Sequence, residues 1–220
     1  MWQWILRNSK RAPITFGLIC ANLIMLIATI VTGGFDTMNL VGLGGLVPAY
    51  VTQNHEYYRM IATIFLHGGI FHFLMNMFAL YVLGTALEQG LGTWRYLLIY
   101  FVAGIGSSLA VVLFSDAYTL SIGASGAIYG VMGALLYITF ARREWFTPRS
   151  VQSIRSMMLL NIAITFLVPM ISIAGHLGGL FFGVVITILL LPNEPIFRKR
   201  MRRFDHGRET VGDGDPTILS

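Results

Sequence analysis

Long apolar runs separated by short polar clusters set the pattern of this 220-residue chain. The first run, residues 14–31, is roughly 18 to 20 residues, which is enough for one membrane crossing and too long for the core of a cleaved signal peptide. Residues 33–59 mix glycines, Asp36, Pro48, Asn54, His55 and Glu56 with isolated Leu and Val. That stretch is too polar to span and too apolar for a free linker, which predicts a loop sunk into the outer leaflet. About thirty mostly apolar residues follow, more than one span needs at about 1.5 Å per residue. The His67-Gly68-Gly69 break predicts an interfacial piece before it and a second helix over 69–88. Residues 91–95 read as a turn, and 94–114, 123–140, 151–168 and 175–191 as four more helices. Pro169 and Pro192 stop the last two. The fold class is therefore all-α: a polytopic membrane protein, a compact bundle of six transmembrane helices with a membrane-embedded outer loop after helix one.

Composition supports the membrane reading. The chain is 55% hydrophobic and 11% charged, unlike ordinary soluble domains of this size. Its net charge of +5 does not suggest nucleic acid, because the basic residues flank apolar spans and are not interleaved with exposed aromatics. They act as orientation signals instead. With the N-terminus inside, six crossings return the C-terminus to the same face, and fourteen of the fifteen Lys and Arg then lie inside, Arg59 being the exception. The expected division is a cytoplasmic segment 1–11, a membrane domain 12–191 and a basic, disordered cytoplasmic tail 192–220. The cell membrane is the expected location. Cys20 is single and forms no internal disulfide.

Three polar insertions stand out against this background, and strongly polar groups inside a span mark functional sites by default. Ser125 lies among glycines in Gly123-Ala124-Ser125-Gly126; His176 opens the last span; His72 and Asn76, four apart, share a face of the second. Helices two, four and six run in the same direction under this topology, which puts all four residues near the outer ends of their helices. Gly123, Gly126, Gly130 and Gly133 on helix four, with Gly175, Gly179 and Gly183 on helix six, predict close approach of the two backbones. A short serine side chain needs that approach to reach a histidine. His67, His72, Asn76, Ser121, Ser125 and His176 would line a polar recess opening outward.

In order and spacing these residues resemble the six-helix rhomboid intramembrane serine proteases over positions 12–191. The likeness rests on Gly123-Ala124-Ser125-Gly126 with Tyr129 four residues after the serine, on His67, His72 and Asn76, on His176 with Gly179 and Gly183, and on Arg59 and Glu88. Tyr58 and Gly175 depart from the family's usual Trp and Ala. The resemblance implies Ser125 as nucleophile and His176 as general base, with Tyr129 stacked on the imidazole. His72, Asn76 and the Ser125 amide would serve the oxyanion, and Gly123 would belong to the same substrate-binding group. It implies no cofactor and no metal. The partners expected are single-span transmembrane protein substrates and membrane lipids, with helix five and residues 170–174 forming the substrate's way in. Arg59 would anchor the outer loop and Glu88 would cap an inner one.

Two other classes are weighed. A catalytically inactive relative that binds transmembrane clients would lack the serine or the helix-six histidine, and both are present. A transporter would carry broken helices at the midplane, whereas the polar residues here gather towards one side.

Overall fold

A computed structural model describes residues 12–168 and 171–196. The expected basic segment 1–11, Pro169 and most of the expected tail lie outside the described residues.

Six principal helices form: α1 (Pro13–Thr32), α2 (Ile70–Leu91), α3 (Thr93–Phe114), α4 (Ser125–Ala141), α5 (Pro148–Leu167) and α6 (Ile173–Leu190). Five are long and apolar enough to cross a membrane; α4, with 17 residues, is the short one. Its bounds follow from local chemistry, since the chain enters from an irregular segment and leaves at Arg142. At about 1.5 Å per residue α4 is about 26 Å long, a few ångströms less than the roughly 30 Å of bilayer hydrocarbon. It is also the most enclosed element, with 12 of its 17 residues buried, and packs against α2, α3, α5 and α6.

Burial along α1 shows how such a bundle sorts its side chains. Thr15, Leu18, Asn22, Leu26 and Thr29 recur at helical spacing on the buried stripe, while Ile24, Ile27 and Val31 face outward. Thr15, Asn22 and Thr29 are turned in beside leucines, and the outward face is aliphatic, as lipid requires. Asn22 and Thr29 each donate to a carbonyl one turn back, those of Leu18 and Met25.

The N-terminus of α1 has no cap of its own, because Ala12 precedes Pro13. Glu88 of α2 takes that role. Its carboxylate accepts from the amides of Ile14 (3.0 Å) and Thr15 (2.8 Å), the Thr15 hydroxyl (2.8 Å) and the Thr93 hydroxyl (3.2 Å). Glu88 therefore caps a helix, where the sequence pointed only to an inner loop. The expected turn over 91–95 contracts to Gly92 alone, whose φ of +88° reverses the chain between α2 and α3.

Glycine contacts bring α4 and α6 together. A methyl group added at Gly179 would collide with the Gly126 carbonyl, and one at Gly183 with that of Gly130. The expected close approach is present, and any side chain at these positions would force the helices apart.

The loop after α1 folds into two short helices, Thr37–Gly42 and Pro48–Gln53. Asp36 caps the first through the Met38 and Asn39 amides. Arg59, 5% exposed, ties the loop down. It donates to the carbonyls of Val41 (2.6 Å) and Gly45 (2.9 Å), pairs with Glu56 at 2.6 Å and lies over the rings of Tyr50 and Tyr58. Leu46 and Val51 pack on Val111 of α3. Leu46 also exchanges both backbone hydrogen bonds with Ser121, so the loop directly fixes the segment leading into α4.

Candidate active site

That segment is where the site begins. Thr63 holds it twice: its carbonyl accepts from the Gly123 amide at 3.0 Å, and its hydroxyl donates to the Ser121 carbonyl at 2.5 Å. Gly123 itself has φ +128°, a conformation that side-chain-bearing residues rarely adopt. A Cβ there would lie 2.9 Å from Cε1 and 3.0 Å from Nε2 of His72, and 3.7 Å from the Ser125 hydroxyl. The imidazole nitrogen and the hydroxyl thus border one small volume that only glycine leaves open.

Ser125 is the first residue of α4 and is half-buried. Ala124 before it supplies no side-chain cap, so the first-turn amides keep their hydrogens for something other than the helix. The positive end of the helix dipole lies at the same place.

His176 stands in the first turn of α6, whose N-cap Ser172 accepts from the Gly175 amide. The imidazole is 8% exposed and stacks on Tyr129 of α4, with ring centroids 3.9 Å apart and planes 19° from parallel. Tyr129 follows Ser125 by one helical turn, so the stack and the serine share a face. The backbones touch close by, at Gly126, next to Ser125, and Gly179, one turn after His176. Among the described residues, no hydrogen bond joins Ser125 to His176.

On α2, His72 borders the Gly123 volume as described. Asn76 is buried and donates one amide hydrogen to the His72 carbonyl, its own i−4 backbone group, at 3.1 Å. The amide's second hydrogen is not engaged by that bond. His67 is 1% exposed and meets His72 and Phe73 edge-on. It therefore lies behind His72, inside the bundle, and not on an open recess. Ser121 contributes mainly its backbone, through the Leu46 and Thr63 bonds.

Sequence reasoning missed two residues of α5. The Thr165 hydroxyl lies 2.9 Å from His176 Nδ1 and 2.5 Å from the Tyr129 hydroxyl. The Asn161 carbonyl accepts from Tyr129 at 2.7 Å and from Thr165 at 2.9 Å. Their signal was available: Asn161 and Thr165 are polar residues four apart in an apolar run, the same spacing that singled out His72 and Asn76. Among the described residues no three His, Cys, Asp or Glu side chains converge as metal ligands.

Comparison with known proteins adds a second line of observation. The Rhomboid domain model matches residues 54–193. Rhomboid protease GluP of Bacillus subtilis (strain 168) is 37% identical over 90% of this chain and 38% of its own length. RHOMBOID-like protein 6, mitochondrial, of Arabidopsis thaliana is 36% identical over 72% of this chain and 52% of its own. RHOMBOID-like protein 1 of the same plant is 33% identical over 76% and 43%. The chain thus spans about half the length, or less, of these curated relatives.

Proposed function

The chain belongs to the rhomboid family, and from that premise we propose that it is an intramembrane serine endopeptidase cutting transmembrane helices of other membrane proteins with a Ser125–His176 dyad. Protease function in general is supported by relatives named as rhomboid proteases. The observation that carries the finer reading is the Tyr129–His176 stack one turn from Ser125, on two helices whose glycines touch.

In the reaction, Ser125 Oγ attacks the substrate's carbonyl carbon while His176 Nε2 takes the hydroxyl proton. The tetrahedral oxyanion is met by the Ser125 amide, His72 and Asn76, in a site of low dielectric. His176 returns the proton to the leaving amine, which departs and leaves an acyl-serine. Water, deprotonated by the same imidazole, then hydrolyses the ester and restores Ser125. Gly123 keeps the oxyanion volume clear, and the loop clamped by Arg59 and Thr63 holds Gly123 in place.

A suitable substrate is a single-span segment that unwinds easily at the cut, since an intact helix hides its peptide bonds. Helix α5 is the expected way in: it is the least buried of the five span-length helices. Both termini are assigned to the cytoplasmic face by the distribution of Lys and Arg. Residues 12–191 form the catalytic membrane domain, and the segments either side of it are cytoplasmic.

The test is to incubate detergent-purified protein with a panel of single-span model substrates, wild type beside Ser125→Ala and His176→Ala. Cleavage by the wild type alone, with fluorophosphonate labelling confined to Ser125, is expected. Cleavage surviving in either variant would overturn the dyad. A folded wild type that binds the panel but cuts nothing would make the chain an inactive, client-binding relative.

A further inference from the structure

A dyad lacks the third group that elsewhere holds the histidine in its working tautomer. We propose that Thr165, through the Asn161 carbonyl, is that group: a positioning residue on α5 that keeps His176 protonated at Nδ1 and leaves Nε2 as the free base. The inference rests on the protease reading above and adds a residue to it.

Proton counting supports it. Four short contacts tie the cluster together: Thr165 hydroxyl to His176 Nδ1, to the Tyr129 hydroxyl and to the Asn161 carbonyl, and Tyr129 hydroxyl to the Asn161 carbonyl. The carbonyl can only accept, and each hydroxyl brings one hydrogen. If Nδ1 carried no proton, two hydrogens would have to serve four contacts. Thr165 would turn its hydrogen to the ring, and its oxygen would face the Asn161 carbonyl oxygen at 2.9 Å with nothing between them. With Nδ1 protonated, three hydrogens serve the four. Thr165 donates back to the carbonyl four residues earlier, a common habit of threonine in helices. Tyr129 donates to the same carbonyl's second lone pair, and Nδ1–H donates to Thr165. This second arrangement leaves one oxygen pair opposed, Thr165 with Tyr129, where the first leaves two.

Burial gives the arrangement weight. Thr165 is 1% exposed, so water does not substitute for it at Nδ1. Without the hydroxyl, the ring would lose its partner at Nδ1 and with it the preference for the tautomer that can accept the Ser125 proton. When the ring becomes doubly protonated during attack, Thr165 continues to accept from Nδ1, and a hydrogen bond to a charged donor is stronger than one to a neutral donor.

The experiment uses the full chain in detergent with a single-span model substrate, comparing Thr165→Val, which keeps shape and loses the hydroxyl, with Thr165→Ser, which keeps the hydroxyl. Thr165→Val is expected to lower kcat about 10- to 100-fold, the scale of one hydrogen bond to a charged group, with KM little changed. Thr165→Ser should recover kcat to within a few-fold. Independently of activity, nitrogen-15 correlation spectra of histidine-labelled protein should show the Nδ1–H tautomer at His176. Its signals are identified by their loss in His176→Gln, and they should change in Thr165→Val. Wild-type kcat in Thr165→Val, equal losses in both variants, or an Nε2–H tautomer in the wild type would overturn the proposal. Activity in Ser125→Ala would instead remove the Ser125–His176 dyad on which the proposal rests, while the spectra would still decide the tautomer.

Discussion

Tyr129 and His176 lie face to face, centroids 3.9 Å apart, and the Tyr129 hydroxyl is anchored on α5 through the Asn161 carbonyl. The tyrosine is thus a plate fixed at its far end, and the imidazole resting on it cannot tilt without moving α4 or α5. Loss of the anchor and loss of the plate should differ in cost. Tyr129→Phe keeps the stacking face and should reduce kcat less than tenfold, whereas Tyr129→Ala removes a contact worth about 1 kcal/mol beyond its area and lets the ring turn. The expected fall for alanine is about 10²-fold, read as initial rates on one model substrate.

Gly123→Ala offers a sharper test of the site's shape. The φ of +128° and the 2.9 Å approach to His72 leave no place for a methyl group. Turnover should drop by on the order of 10², as when an oxyanion donor is lost, while the melting temperature in detergent changes by only a few degrees. Near-wild-type kcat would mean that the volume beside His72 is not used by the reaction.

At Gly179 stability and chemistry should both respond, because spreading α4 from α6 also draws Ser125 away from His176. A methyl group there would meet the Gly126 carbonyl, a backbone atom that cannot rotate away. Gly179→Ala should cost about 3 kcal/mol, at the upper end for overpacked interiors, seen as a lower midpoint in denaturant titration of the detergent-solubilised protein.

Glu88→Ala should destabilise comparably, by roughly 3 kcal/mol, since it strands two amides and a hydroxyl of α1 in a buried setting. Glu88→Gln, which keeps acceptor capacity at one oxygen, should lose about half as much. Activity per folded molecule should be unchanged in both, because Glu88 touches no residue of the site.

Acid should loosen the outer loop. The hydrogen bond from Arg59, helped by Asn54 and Tyr58, holds the Glu56 carboxyl below the usual carboxylate range. A lowered folded value means that the pair stabilises the loop above the unfolded pKa, and that this contribution fades as pH falls through the lowered one. Hydrogen exchange over 37–58, corrected for intrinsic rates, should accelerate as pH falls below about 4. In Glu56→Gln that pH dependence should vanish and the loop should exchange faster at neutral pH.

Much of this was legible from residue order. Ser125, His72 and His176 stand out because each is costly where it sits, and Gly126, Gly179 and Gly183 announce a backbone contact by their spacing. Proline and glycine marked most helix ends to within a few residues. What escaped depends on partners distant in sequence. Thr165 reads like any threonine bonding back along its own helix, and nothing local says that His176 lies across from it. Glu88 names a helix end, but not that the helix is α1. The shortness of α4 was legible, 123–140 against Ser125–Ala141; only its start was placed two residues early, because Gly123 is held by Thr63 and the helix begins after Ala124.

The cap on α1 also has a bearing on how the protein is made. Glu88 lies 73 residues after Thr15, and at about 5 to 20 residues per second a ribosome needs several seconds to deliver it. Throughout that interval the leading turn of α1 has no carboxylate, so its amides must stay in contact with water or lipid headgroups. The leading end of α1 therefore settles only once α2 brings the acid that seats it.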